Sequence, residues 1–146
     1  MIIIQNDATL PNNPRLGWRN FVTSSNVDAS SEAAGFPAIN LGNPATYLKW
    51  RASSAAAQTI VIDLATETEI DYIGIARHNF GTAGIAYTVE SSDNASTWTE
   101  RSIGEPEDDR VIFHEFASAT ARYWRLSLDA GSAAAEMAIL YLGRVT

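Results

Sequence analysis

Apolar and polar residues alternate with a period of two along several short stretches of this chain, most clearly between Thr59 and Asn79. In Thr59–Leu64, Ile60, Ile62 and Leu64 fall on one face and Thr59, Val61 and Asp63 on the other. β-Branched residues at that period specify a strand. After a short polar link, Ile70–Arg77 places Ile73 and Ile75 on a face with Asp71 and Arg77, and Tyr72, Gly74 and Ala76 on the opposite face. Apolar groups on both faces predict a strand covered on each side. Ile85, Tyr87 and Val89 carry the alternation on to Ser92. Arg110–Phe116 is rich in β-formers, and Ala121–Leu128 sets Trp124, Leu126 and Leu128 against Tyr123, Arg125 and Ser127. Val27–Ser31 predicts the first body strand and Thr97–Thr99 the start of a later one. Ala133–Leu142 has helical propensity, but the compact run Ile139–Leu142 predicts a strand from about Glu136.

Glycine, proline and short polar residues punctuate these runs: Gly35, Pro37, Gly42 and Pro44, then Asp93–Ser96, Gly104–Asp109 and Asp129–Gly131. About eight short strands with turns between them and no long helical period predict an all-β sandwich. Alternation alone leaves jelly-roll and immunoglobulin topologies open. Trp50, Trp98 and Trp124 are expected in the core and Tyr47 at the surface. Residues 1–26 read as an irregular arm ahead of a 27–146 body. Ile2–Ile4 could form a short strand, and Asn6, Asp7, Pro11, Asn12, Asn13 and Pro14 prevent regular structure after it. Trp18 and Phe21 in such an arm must be covered, either by their own domain or by a neighbouring subunit, since both types are enriched at interfaces.

The length of 146 residues fits one domain. A net charge of -7, with scattered arginines and a single lysine, Lys49, argues against nucleic acid and anionic membranes as partners. The absence of cysteine excludes disulfides and thiol catalysis. No run approaches the ~18 apolar residues of a membrane span. The start of the chain lacks the core of a signal peptide, so a soluble protein made in the cytosol is expected. Two histidines, His78 and His114, fall in no HExxH pattern, and neither a G-x-S-x-G elbow nor a phosphate-cradling loop occurs, so no enzyme is expected. The acidic run of Glu105, Glu107, Asp108 and Asp109 reads as a solvated loop.

One group has the chemistry of sugar recognition. Arg77, His78 and Asn79 offer planar polar groups that can chelate neighbouring hydroxyls, and Phe80 and Tyr47 offer aromatic faces for the C–H side of a ring. Alternatively, Arg77 pairs with a carboxylate while His78 and Asn79 shape the turn.

Several landmarks then fall in order: Pro37-Ala38, Asn40-Leu41-Gly42-Asn43, Thr46 and Trp50, Thr59–Leu64, Tyr87–Asn94 leading to Trp98, Ala121–Leu126, and Leu140–Gly143. This set resembles the discoidin-like, galactose-binding-like jelly roll over residues 27–144. Leu16-Gly17-Trp18, Ile70–Asn79 and Leu140–Arg144 are similar to a branch found in tailed-phage and prophage structural modules. That resemblance implies a non-enzymatic virion protein of the tail or tail tip. It would be made in the host cytoplasm and would assemble as a homo-oligomer, and with other virion proteins, through its sandwich and arm. The alternative it implies is a carbohydrate-binding module for host cell-surface glycans. Many such modules hold a structural calcium through an Asp in the loop matching Asn40–Asn43 and a late acidic residue. Here Leu41 stands near the first position and Met137 or Ala138 near the second, with Glu136 close by. No metal or other cofactor is therefore expected.

Overall fold

The computed structural model describes residues 3–6 and 15–146. Among the described residues nine strands carry the fold: β1 (Ile3–Asn6), β2 (Val27–Ala29), β3 (Trp50–Arg51), β4 (Gln58–Ala76), β5 (Tyr87–Ser92), β6 (Thr99–Gly104), β7 (Ile112–Leu128), β8 (Glu136–Met137) and β9 (Ile139–Gly143). A short 3-10 turn spans Ala38–Gly42, and a four-residue helix, α1, spans Phe80–Ala83.

The two predicted strands on either side of residues 65–69 are one strand, β4, and the two predicted strands between Arg110 and Leu128 are one strand, β7. The polar links bend without breaking. Ala65 takes a left-handed φ of 63°, and the pairing shifts between Asp63 and Thr68 and again between Ile70 and Tyr72. Asp63 fixes the bend: its carboxylate accepts the Ala65 N–H and a two-pronged pair of bonds from Arg122 at 2.8 and 2.9 Å. A bulge adds a residue to one strand, so the inward parity changes. Ile60, Ile62 and Ile70 point into the core before the second shift, and Ile73 and Ile75 after it.

Each long strand therefore serves both layers of the sandwich. The first half of β4 pairs with β2 and the second half of β7, and β5 and β6 extend that layer. The second half of β4 pairs with β9 and the first half of β7, whose far edge takes β1 in parallel. β3 and β8 form a separate two-residue ribbon. Trp124, Leu126, Tyr87 and Val89 of one layer meet Ile75, Phe116, Leu140 and Leu142 of the other in one continuous core. His114 crosses that core, fully buried, with Nδ1 at 2.8 Å from the Tyr87 hydroxyl and Nε2 at 2.8 Å from the Ser102 hydroxyl.

Residues 15–26 lie on the outside of the β9 layer. The Phe21 N–H donates to Leu142 O, and Leu16 and Thr146 exchange backbone bonds. Arg15 reaches Asp71 and Glu115 at 3.6 and 3.3 Å. Burial raises the Asp71 carboxyl above its ordinary value, against the lowering effects of the Val145 N–H and Arg15. Tyr72, beneath this segment, donates its hydroxyl to Arg19 O, and burial pushes it up to about 12. Phe21 packs against its own core and carries the Arg19 guanidinium over its ring, whereas Trp18 is 68% exposed. The turn-rich residues 7–14 lie outside the described residues.

Trp50 and Trp124 are fully buried, as the strand pattern predicts. Trp98 differs from expectation. It sits just ahead of β6, half-buried, and packs under the Arg125 guanidinium at 4.2 Å.

Candidate ligand-binding site

The sugar site expected from sequence is dispersed by the fold. His78 is buried, with Nε2 at 2.7 Å from Arg110 O and Nδ1 accepting the Phe80 N–H. Burial holds its pKa below the usual histidine value. Phe80 has no exposed surface and is a core residue. Asn79 spends its side chain on the chain end that precedes β9. Its amide donates to Ala134 O at 2.8 Å and its carbonyl accepts the Glu136 N–H at 3.0 Å. His78 and Asn79 thus bond within the turn, as one half of the sequence alternative expects, while the carboxylate partner it expects for Arg77 is not found among the described residues; the turn begins at the left-handed Arg77 (φ 56°). Arg77 itself is exposed and makes no ion pair among the described residues. Tyr47 is the exposed aromatic that was expected, at 83%.

A different polar group gathers at this end of the sandwich, around the ribbon of β3 and β8. Strand alternation sends Trp50 inward, where its indole N–H meets Ser31 O at 2.9 Å, and turns its neighbours Lys49 and Arg51 outward. Pairing of Arg51 with Glu136 brings a carboxylate between the two cations. Lys49 Nζ is 2.8 Å from Oε1 and Arg51 Nε is 2.8 Å from Oε2. Burial alone would raise the Glu136 carboxyl, but the hydrogen bonds and charges of Lys49 and Arg51 together bring it below its ordinary value.

The Arg51 guanidinium also lies 4.3 Å over the Phe36 ring. Phe36 is held there by a tight turn: Ala33 bridges to Phe36 across Gly35 (φ 84°), and the Arg51 N–H donates to Phe36 O. Only glycine takes that φ without strain. Tyr47 leaves the turn Ala45–Leu48 two residues ahead of Lys49, and Asn40 pins the Lys49 carbonyl at 2.9 Å.

The result is a half-exposed ledge. The Phe36 ring accompanies Lys49, Arg51 and Glu136, whose charge-assisted bonds fix their orientation, and the exposed Tyr47 lies two residues along the chain from Lys49. Such a surface can cover the C–H face of a sugar ring and offer planar donors and an acceptor to its hydroxyls. It does not suit a calcium ion, which takes six or more oxygens. Glu136 is already neutralised by two cations, and Leu41 is buried in the core. Among the described residues no group of three or more acids and histidines could hold a metal.

Sequence reasoning missed Lys49 and Arg51 because their common partner, Glu136, lies 87 and 85 residues away, and Phe36 because it joins them only through Arg51. The one local signal is Lys-Trp-Arg itself: a buried tryptophan in a strand obliges both neighbours to face out.

This geometry sits on a recognisable scaffold. Residues 21–139 match the F5/8 type C domain. The chain belongs to that family. No curated protein matches it. Among solved structures, it is similar to chitosan-binding module 1 of a chitosanase/glucanase from Paenibacillus sp. IK-5. The identity is 18% and the TM-score 0.75, with 86% of this chain and 99% of that one covered. A Clostridium perfringens module in complex with GalNAc-β-1,3-galactose matches at 18% identity and TM-score 0.70, covering 81% and 94%. A Ruminococcus gnavus fucosidase in complex with fucose matches at 20% identity and TM-score 0.72, covering 88% of this chain and 27% of that one. The F5/8 type C chain thus has the discoidin-like jelly-roll sandwich of carbohydrate-binding modules.

Proposed function

We propose that this F5/8 type C domain is a non-catalytic carbohydrate-binding module, and that the ledge of Phe36, Tyr47, Lys49, Arg51 and Glu136 meets the glycan. The observation that carries the reading is the juxtaposition of the Phe36 ring with a carboxylate held between two cations at one end of the sandwich. The glycans named for its structural neighbours, chitosan and a GalNAc-galactose disaccharide, support the class and suggest the first ligands to try. The test is a glycan array probed with a multivalent display of the domain, because repeated copies multiply a modest affinity. Binding that drops at least tenfold in Tyr47→Ala and Arg51→Ala, with unchanged thermal stability, is the expected outcome. A blank array, or variants that bind like the parent, would overturn the reading.

The virion assembly role implied by the sequence resemblance ranks second. The glycan-binding neighbours described above lend it no support. The observation in its favour is the arm surface, where Leu16 and Trp18 are 65% and 68% exposed on a segment pinned to the body. Light scattering on the full chain and on Trp18→Ala tests it. An oligomer lost on substitution supports assembly through the arm, and a monomer in both removes the arm's part in it.

A further inference from the structure

A second pocket lies at the opposite end of the sandwich from the ledge. β5 runs from Tyr87, beside the turn that holds α1, to Ser92, and five steps of about 3.3 Å carry it roughly 16 Å away. There Ser91, Ser92, Asp93, Asn94, Thr97, Thr99, Arg101 and Thr120 line a cleft of about 180 Å³. Space on that scale, open to solvent, can seat a sugar ring.

The cleft is polar and its walls are set. Asn94 Oδ1 accepts the N–H groups of Ser96 and Thr97 and the Ser92 hydroxyl, which fixes the loop. Ser91 and Ser92 are buried although they are consecutive.

Arg101 is exposed and, like Arg19 and Arg77, makes no ion pair among the described residues. Its Nε donates instead to the buried Ser91 hydroxyl at 2.7 Å. That bond orients the guanidinium plane and leaves its two terminal nitrogens, with their N–H donors, for another acceptor. Asp93 lines the same cleft, and among the described residues it makes no ion pair with Arg101.

We propose that this pocket is a second ligand site and takes a single acidic sugar residue. The sugar carboxylate would lie on the free edge of Arg101, a fork that matches it in geometry as lysine does not. Its hydroxyls would meet Asp93, Asn94 and the threonines. The domain is then two-ended: one end for the glycan of the ledge, the other for a uronic acid. The inference stands on Arg101 and its cleft and does not depend on the ledge.

The test is a nitrogen-15 NMR titration of the whole chain, following backbone amides and the arginine Nε signals, with glucuronic or galacturonic acid and with galactose as the neutral control. The acidic sugars are expected to move the Arg101 Nε signal and the amides of residues 91–101, and the effect should weaken as salt rises. Arg101→Gln should lower affinity at least about tenfold, the loss expected of a charge-assisted pair. Arg101→Lys keeps the charge but not the fork and should recover only part of it. Arg51→Ala should leave this binding unchanged, so failure of the ledge reading and failure of this one are distinguishable. No movement at residues 91–101 at tens of millimolar acid would overturn the proposal. Equal movement by galactose, or unaltered affinity in Arg101→Gln, would do the same.

Discussion

Substitution of Asn79 by Ala separates a residue that touches a ligand from one that positions the site. Sequence alone places Asn79 among the sugar contacts. In the structure its amide bonds Ala134 O at 2.8 Å and the Glu136 N–H at 3.0 Å, tying the start of β8 to the end of β4. Alanine removes both bonds at a part-buried place. At about 1 kcal/mol each, the loss is about 2 kcal/mol. For a chain of this length that lowers the melting temperature by about 4 to 8 °C. Glycan affinity, measured well below the transition, should fall no more than about threefold, because Lys49 and Arg51 still clamp the Glu136 carboxylate. Asn79→Asp keeps the acceptor for Glu136 but turns a carboxylate toward the Ala134 carbonyl, so it should destabilise at least as much at neutral pH. Circular-dichroism melts paired with ligand titrations read both quantities. A melting temperature within about 1 °C of the parent, with binding abolished, would refute the positioning role and return Asn79 to the ligand.

Three further outcomes follow from particular contacts. His78 is held neutral by burial, so its folded pKa lies below the unfolded value of 6.5. The unfolded chain therefore takes up the proton first, and stability is fully present above that value and declines as pH falls through it. Melting curves from pH 7.5 to 5 should show a gap between parent and His78→Gln that narrows toward acid; a gap independent of pH contradicts the assignment. A Cβ on Gly81 would stand 2.3 Å from the Asp108 backbone. Gly81→Ala should therefore cost about 1–3 kcal/mol or more in denaturant melts, and a neutral result would mean that the Asp108 loop gives way freely. Because Lys49 and Arg51 occupy the Glu136 carboxylate and Leu41 is buried, EDTA should leave the melting temperature unchanged; a rise of several degrees on adding calcium would show a site elsewhere.

The sandwich was readable because period-two alternation reports burial directly: Ile60, Ile62, Trp124, Leu126 and Leu128 fill the core as their positions predict. The continuity of β4 and β7 was not readable. Polar residues such as Thr66 and Glu67 look like a loop, and only the pairing of Thr68 and Glu69 with Ala121 and Thr120 keeps them in the ladder. The site was half legible. Tyr47 stands out as an aromatic in an irregular segment. His78 and Phe80 looked like ligand groups because sequence shows chemistry and not direction, and the left-handed Arg77 turns them inward. Phe36, Lys49, Arg51 and Glu136 meet only through a two-residue ribbon, too short to leave a pattern.

The sharing of β4 and β7 between both layers sets an order of events during synthesis. When Ala76 has been added, β4 has β2 behind it but neither β7 nor β9. At about 5–20 residues per second, the 52 residues from Ala76 to Leu128 (128 − 76) occupy roughly 3–10 s. For that time a long strand rich in isoleucine waits with unpaired edges, and the pairs it waits for, from Ile75 with Ile112 to Gln58 with Leu128, are 37 to 70 residues apart. Non-local pairing of this kind slows folding. The bend at Asp63–Thr68, with its polar and acidic residues, then has a second use: it interrupts the one stretch of the nascent chain most prone to pair with a copy of itself.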